Sequence, residues 1–124
     1  MITGIGVDVI EIERIRRSID RFGSRFLTKI FTADEIEFCT GRAQASRHFA
    51  ELFAAKEAVS KAMATGNTGD FGWLNVEVIY DKKGKPDVRF YNAMKRVIEG
   101  YTVFLSLSHS EHIVIACVMI EKVR

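Results

Sequence analysis

Residues 49–66 read FAELFAAKEAVSKAMATG, and the spacing inside this stretch decides the fold. Phe49, Leu52, Val59 and Met63 fall on one stripe at the period of a helix face turned to a core. A second stripe carries Ala50, Ala54, Glu57 (beside Ala58) and Lys61. It sets an acid and a base four residues apart among side chains that take up almost no room. The small residues leave space for something. Two readings of Glu57 and Lys61 are open at this point: a surface ion pair contributing about 0.3–0.5 kcal/mol, or part of a site. Ser46 is a suitable N-cap for this helix, and Gly66 with the turn-rich NTGDFG after it predicts the end.

Upstream, Arg42–Ser46 reads as a connecting loop, and Thr32 to Glu35 form a T-x-x-E capping box that predicts a short structural helix ending near Gly41. From Glu11 to Phe22 the pattern is helical, with Ile12, Ile15, Ile19 and Phe22 on one stripe. Arg14, Arg17, Arg21 and Arg25 occupy the opposite stripe if the helix runs on through Gly23, with only Glu13 and Asp20 nearby to dilute them. A solvated helix face is the plain alternative, but a ridge this basic suits an acidic protein partner. Further upstream, Ile2–Ile10 alternates as a strand. Ile5, Val7 and Val9 are expected to pack inward, leaving Asp8 in a clearing made by Gly4 and Gly6 on the other face. Against this stands a reading in which the glycines serve a bulge or tight packing and Asp8 caps the next helix.

Downstream, Trp73–Tyr80 resumes strand character, and DKKGKP (81–86) predicts a hairpin turn with a basic tip at Lys82, Lys83 and Lys85. Val88 and Phe90 continue a short strand, and Asn92 is placed to cap a small helix carrying Ala93, Met94, Val97 and Ile98. Tyr101–Ser108 puts Val103, Leu105 and Leu107 on one face and Ser106 and Ser108 on the other, with His109 at its end. Ile113–Ile120 is a buried strand antiparallel to it. A histidine at a strand end is more often a capping or surface residue than a catalytic one, though the two serines suit a polar pocket wall.

With 124 residues, 48% of them hydrophobic, residues 1–124 suit one α+β domain with an antiparallel sheet packed on the long central helix. Eighteen Lys and Arg against sixteen Asp and Glu give a net charge of +2, too small to imply nucleic-acid binding. No apolar run approaches the roughly 20 residues of a membrane span, and no basic, apolar leader opens the chain. Cys39 and Cys117 lack metal-like or redox-like spacing, so both are expected as reduced thiols of a cytoplasmic protein.

If the faces bearing Asp8 and Glu57 meet, they make a two-carboxylate site for Mg²⁺, which leaves most coordination positions to water and phosphate oxygens. Lys61 then reaches the same phosphates as a point charge. That combination is phosphoryl chemistry, although many proteins own an Asp and a Glu that never meet.

The chain resembles the holo-acyl-carrier-protein synthases, the small 4'-phosphopantetheinyl transferases that load carrier proteins in fatty-acid synthesis. The resemblance rests on GIGVDVIEIERI (4–15), FTADE (31–35), FAAKEAVSKAMATG (53–66), GKP (84–86) and LSLSHS (105–110), in the family's order and spacing. It implies transfer of 4'-phosphopantetheine from coenzyme A to a serine of acyl carrier protein, releasing 3',5'-ADP with Mg²⁺. It also implies a homotrimer with active sites at subunit interfaces. On the same basis Asp8 and Glu57 are the metal ligands, and with them Lys61, which contacts phosphate, carries the catalysis. Gly66, Lys85, Pro86, Ser108 and His109 join Lys61 in binding coenzyme A, its nucleotide end being held partly from the neighbouring subunit. The ridge of Arg14, Arg17, Arg21 and Arg25 corresponds to the helix that receives the carrier.

Two positions depart from the pattern. Leu52 stands where many members carry arginine before FAAKEA, and Ala64 where they carry glycine. The first removes a charge near the coenzyme A site, for which Arg42, Arg47 or Lys56 are candidates to compensate. Rival readings are a Mg²⁺-dependent phosphohydrolase using the same carboxylates, and a docking domain whose carboxylates are mere surface.

Overall fold

The computed structural model describes residues 1–64 and 71–123. It is α+β, as expected. The chain runs β1 (Ile2–Glu11), α1 (Ile12–Phe22), α2 (Ser24–Ile30), α3 (Ala33–Thr40), α4 (Ala45–Met63), a 3₁₀ turn (Trp73–Asn75), β2 (Val76–Tyr80), β3 (Pro86–Phe90), α5 (Asn92–Val97), β4 (Tyr101–His109) and β5 (Ile113–Lys122). The strands form two antiparallel sheets rather than one: β1-β5-β4, and the hairpin β2-β3. The three-stranded sheet lies on α4, which is the centre of the core.

Helix α4 is buried on more than one face, as a helix at the centre of a core must be. Leu52 and Val59 are fully buried and Phe49 nearly so, with Met63 partly exposed. Ala50, Ala54 and Ala58 are fully buried as well. The small stripe therefore makes room for the sheet and not for a ligand. A Cβ on Gly6 would lie 2.0 Å from the Ala58 carbonyl oxygen, and one on Gly4 2.1 Å from that of Ala62. The strand backbone lies almost directly on the helix backbone, so for the glycines the tight-packing reading holds.

This contact reverses the expected orientation of β1. Ile5, Val7 and Val9 face outward at 62%, 47% and 57% exposure, while Gly4, Gly6 and Ile10 face α4. Only the glycine side admits the helix, so the apolar side is left open. Asp8 caps nothing: α1 is preceded by Glu11, without a side-chain cap.

Three other local expectations are revised, and the open condition at Gly23 resolves against a continuous helix. Helix α4 begins after Gln44, which puts Ser46 inside its first turn. It ends at Met63, with Ala64 in the left-handed region at φ 54°. Gly23, at φ 55°, breaks the long helix and starts α2, which moves Arg25 onto a separate element. Asn92 does not cap α5 but donates to Asn75 Oδ1 at 2.8 Å from the helix's first position.

The capping box forms as read, with the Glu35 amide donating to Thr32 Oγ1 at 3.2 Å and the Thr32 amide to Glu35 Oε1 at 2.9 Å. The 81–86 turn also closes as read, Asp81 Oδ1 accepting from the amides of Lys83 and Lys85 at 2.8 and 2.9 Å. Strands β4 and β5 pair antiparallel with Leu105 opposite Val118. Cys39 is buried and Cys117 partly so, both as free thiols. Burial, then the charges of Glu35 and Glu51, pushes the Cys39 thiol up to about 12. Among the described residues no helix is long and apolar enough to cross a membrane.

Candidate active site

Asp8 lies on the inner face of β1, opposite Ala116 of β5 and beside α4. Lys61, in the last turn of α4, donates to Asp8 Oδ1 and to the Val7 carbonyl, each at 3.0 Å. Glu57 stands one helical turn earlier, partly buried. Its carboxyl is pushed above the usual carboxylate range, first by burial and then by the Asp8 charge, against the pull of Lys61 and Arg14. The faces bearing Asp8 and Glu57 therefore do meet, with Lys61 on one carboxylate and Arg14 of α1 near the other.

Two repelling carboxylates on a rigid strand and helix, with a cation already against one, fit a hard divalent ion that takes few protein ligands. Among the described residues no group of three or more His, Cys, Asp and Glu converges to cage a metal. A two-carboxylate Mg²⁺ site, completed by water and phosphate, suits this donor set better than a closed Zn²⁺ or Ca²⁺ site.

A second polar cluster gathers around Glu51 of α4, a residue that no motif or spacing singles out. His48 Nδ1 lies 3.0 Å from Glu51 Oε1, Arg47 Nε 4.0 Å from the same oxygen, and His109 Nδ1 3.9 Å from Oε2. None of these meets hydrogen-bond geometry, and Arg47 Nε, His48 Nδ1 and Glu51 Oε1 are buried without a hydrogen-bond partner. Burial, the largest influence, lowers the proton affinity of His48, with the Glu51 charge opposing it. A cleft of about 600 Å³ opens beside Arg16, Gln44, Arg47 and His109.

The remaining predicted contacts do not share this cleft within one chain. Ser108 pairs with Ile115 on the outer sheet face, whereas His109 pairs with Val114 on the inner one. Lys85 and Pro86 line a separate groove of about 440 Å³ with Tyr80 and Phe104. Gly66 lies outside the described residues.

Arg14, Arg17, Arg21 and Arg25 are all exposed. The two acids that dilute this ridge in sequence are both engaged by Arg16, which contacts Glu13 and lies 2.8 Å from Asp20 Oδ2. Arg21 sits 5.2 Å over the exposed Phe22 ring. The ridge is thus an exposed positive surface with Glu57 near its Arg14 end, continued by Arg25 across the Gly23 break.

A family model for the 4'-phosphopantetheinyl transferase superfamily matches residues 4–118. The holo-[acyl-carrier-protein] synthase of Koribacter versatilis is 42% identical over 124 residues, covering 98% of this chain and 99% of its own. The crystal structure of the synthase from Neisseria meningitidis superposes with a TM-score of 0.92 at 36% identity, covering 98% of this chain and all of that one. The chain belongs to this superfamily. The Bacillus anthracis synthase, solved in complex with CoA (3',5'-ADP), has a TM-score of 0.84 at 35% identity, with 98% of each chain covered.

Set within the superfamily, the departure at Leu52 has a structural answer and one candidate drops out. Leu52 is fully buried, filling core space where an arginine head group would need partners. Lys56 is not free to compensate. It is fully buried and donates to Glu35 Oε1 at 2.7 Å, the Ile30 carbonyl at 2.8 Å and the Trp73 carbonyl at 3.0 Å, so all three of its protons are used. Arg42 lies 3.8 Å over the Phe38 ring. Arg47 is the one candidate on the cleft beside His109.

Proposed function

We propose that this protein is a Mg²⁺-dependent holo-acyl-carrier-protein synthase of fatty-acid biosynthesis, transferring 4'-phosphopantetheine from coenzyme A to a serine of apo acyl carrier protein. The observation that carries the reading is the meeting of Asp8, Glu57 and Lys61 where β1 lies on α4. The named relatives and the coenzyme A complex of a close structural neighbour support the reaction class.

Asp8 and Glu57 would hold Mg²⁺, which supplies charge neutralisation at the pyrophosphate oxygens. The serine oxygen forms the new bond to the β-phosphorus in line with the bond that breaks, and 3',5'-ADP leaves with that electron pair. Lys61 moves from Asp8 to the leaving phosphate. Glu57 orients the solvent that accepts the serine proton. The arginine ridge receives the acidic carrier.

A homotrimer accounts for what one chain leaves undone. Ile5, Val7, Val9, Phe104, Ile115 and Met119 are exposed together on the outer sheet face, an apolar surface of the kind that marks an interface. Copies packed there would bring the Lys85–Pro86 groove of one chain toward the His109 cleft of the next. In this reading the protein works in the cytoplasm without membrane or nucleic acid.

Intact mass of apo acyl carrier protein, after incubation with this protein, coenzyme A and Mg²⁺, tests the reaction. The expected gain is one phosphopantetheine, abolished by EDTA. Release of phosphate or phosphopantetheine without carrier would favour the hydrolase, and no reaction with any carrier the docking domain. Sedimentation should give three copies, and Val7→Asp should release monomers.

A further inference from the structure

The distance between β1 and α4 decides where Asp8 stands relative to Glu57 and Lys61, and Gly6 makes the close backbone contact nearest to Asp8. A Cβ on Gly6 would lie 2.0 Å from the Ala58 carbonyl oxygen and 2.7 Å from the Ala62 amide nitrogen. Both are backbone atoms of a helix and cannot rotate aside. Gly6 precedes Asp8 by two residues on the same strand face, Ala58 directly follows Glu57, and Ala62 directly follows Lys61. Between them, the Val7 carbonyl and Asp8 Oδ1 both receive Lys61. Three consecutive residues of β1 therefore touch the segment of α4 that carries the site.

We propose that Gly6 is a positioning residue for the two-carboxylate site: its bare Cα against the Ala58 carbonyl holds Asp8 at metal-sharing distance from Glu57. The proposal rests on the function above. A methyl group at position 6 forces strand and helix apart by about 1 Å or more, a displacement that is typically worth about a hundredfold at a reacting centre. Gly4 provides a matched comparison. Its Cβ would meet the Ala62 carbonyl at 2.1 Å, an equal clash, but four residues from Asp8 and beyond Lys61 toward the end of the helix.

The test uses the full chain and Mn²⁺ alone as probe, with binding followed by electron paramagnetic resonance and folding by thermal melts. Gly6→Ala should weaken Mn²⁺ binding by about 10- to 100-fold, the range for disturbing the support of a metal ligand. Gly4→Ala, at a comparable loss of melting temperature, should stay within about threefold of native, since its clash lies beyond the ligand pair. Native-like Mn²⁺ binding in Gly6→Ala, or equal losses in both variants, would overturn the proposal. Should Gly6→Ala fail to fold, it is refolded with an excluded osmolyte such as trimethylamine oxide, which favours the compact state. Undiminished binding in that folded variant overturns the proposal equally. A native chain that binds no Mn²⁺ and loads no carrier would instead bring down the functional reading itself.

Discussion

Helix α4 carries two lysines five residues apart, and each meets one carboxylate from another element. Lys56 and Glu35 are both almost wholly buried, 2.7 Å apart. Lys61 and Asp8 are 3.0 Å apart, with half of the Lys61 side chain exposed. The first pair is closed: every Lys56 proton has an acceptor, and Glu35 also takes the Thr32 and Val78 amides. It ties α3, α4 and β2 together, and Glu77 extends it by accepting from Thr32 Oγ1 and the Tyr91 hydroxyl. The second pair is open, with Glu57 beside it and solvent above. A pair with nothing left to exchange serves architecture, whereas one that is half wet can trade its partner for a ligand.

The same substitution at both positions gives the sharpest contrast. Lys56→Met strands the Glu35 charge in the interior, and breaking a buried pair from one side costs about 3–5 kcal/mol. Chemical denaturation should show that loss, and Glu35→Gln added to it should recover part, because the stranded charge is gone. Lys61→Met should cost less than about 1 kcal/mol, as for an exposed pair. Its turnover, however, should fall by about 10²–10³-fold through loss of a charge-stabilising donor. If Lys61→Met proved the more destabilising, the division between closed and open pairs would be wrong.

A milder test concerns the arginines on the open side. Arg14 belongs to the arginine ridge and also influences Glu57. Reversing Arg14 and Arg21 to Glu should raise the KM for acyl carrier protein by about 10- to 100-fold, which is about 1.4–2.7 kcal/mol for the two reversals together. The KM for coenzyme A should change far less. Equal changes in both would show misfolding rather than lost docking.

What the sequence disclosed follows the same division. Local pattern located α1 to within one residue of its start, the Thr32 box, the 81–86 hairpin and the β4–β5 pair, because each of these is specified by near neighbours. Alternation in β1 correctly separated two faces but could not tell which one the helix covers; that depends on the carbonyls of Ala58 and Ala62, more than fifty residues away. Lys56 was unreadable for a similar reason. A single charge in an apolar helix segment looks like a surface residue until Glu35, Ile30 and Trp73 are seen around it. Asp8, Glu57 and Lys61 were legible as residue types, and the fold supplied their meeting. Ser108, His109, Lys85 and Pro86 were legible only through family resemblance, and one chain leaves them in separate places.

The smallest expected effect separates the two pairs by sign. Glu57 is held protonated more readily in the folded protein than in the unfolded chain, first by burial and then by Asp8. The folded state therefore binds more protons than the unfolded state between the two pKa values, and stability falls as pH rises through that window. At neutral pH, in chelator, the ionised Glu57 is a net cost to folding. Glu57→Gln should accordingly raise the melting temperature slightly and flatten the acid side of the stability profile. Adding Mg²⁺ should reverse the order, because the ion binds the native fold and stabilises it by mass action while the amide binds it poorly. Melting curves of native and variant proteins, with and without Mg²⁺, carry the whole comparison. Glu57→Gln below native in chelator would mean that Glu57 is an ordinary stabilising partner of Lys61, and the open pair would then be one more closed one.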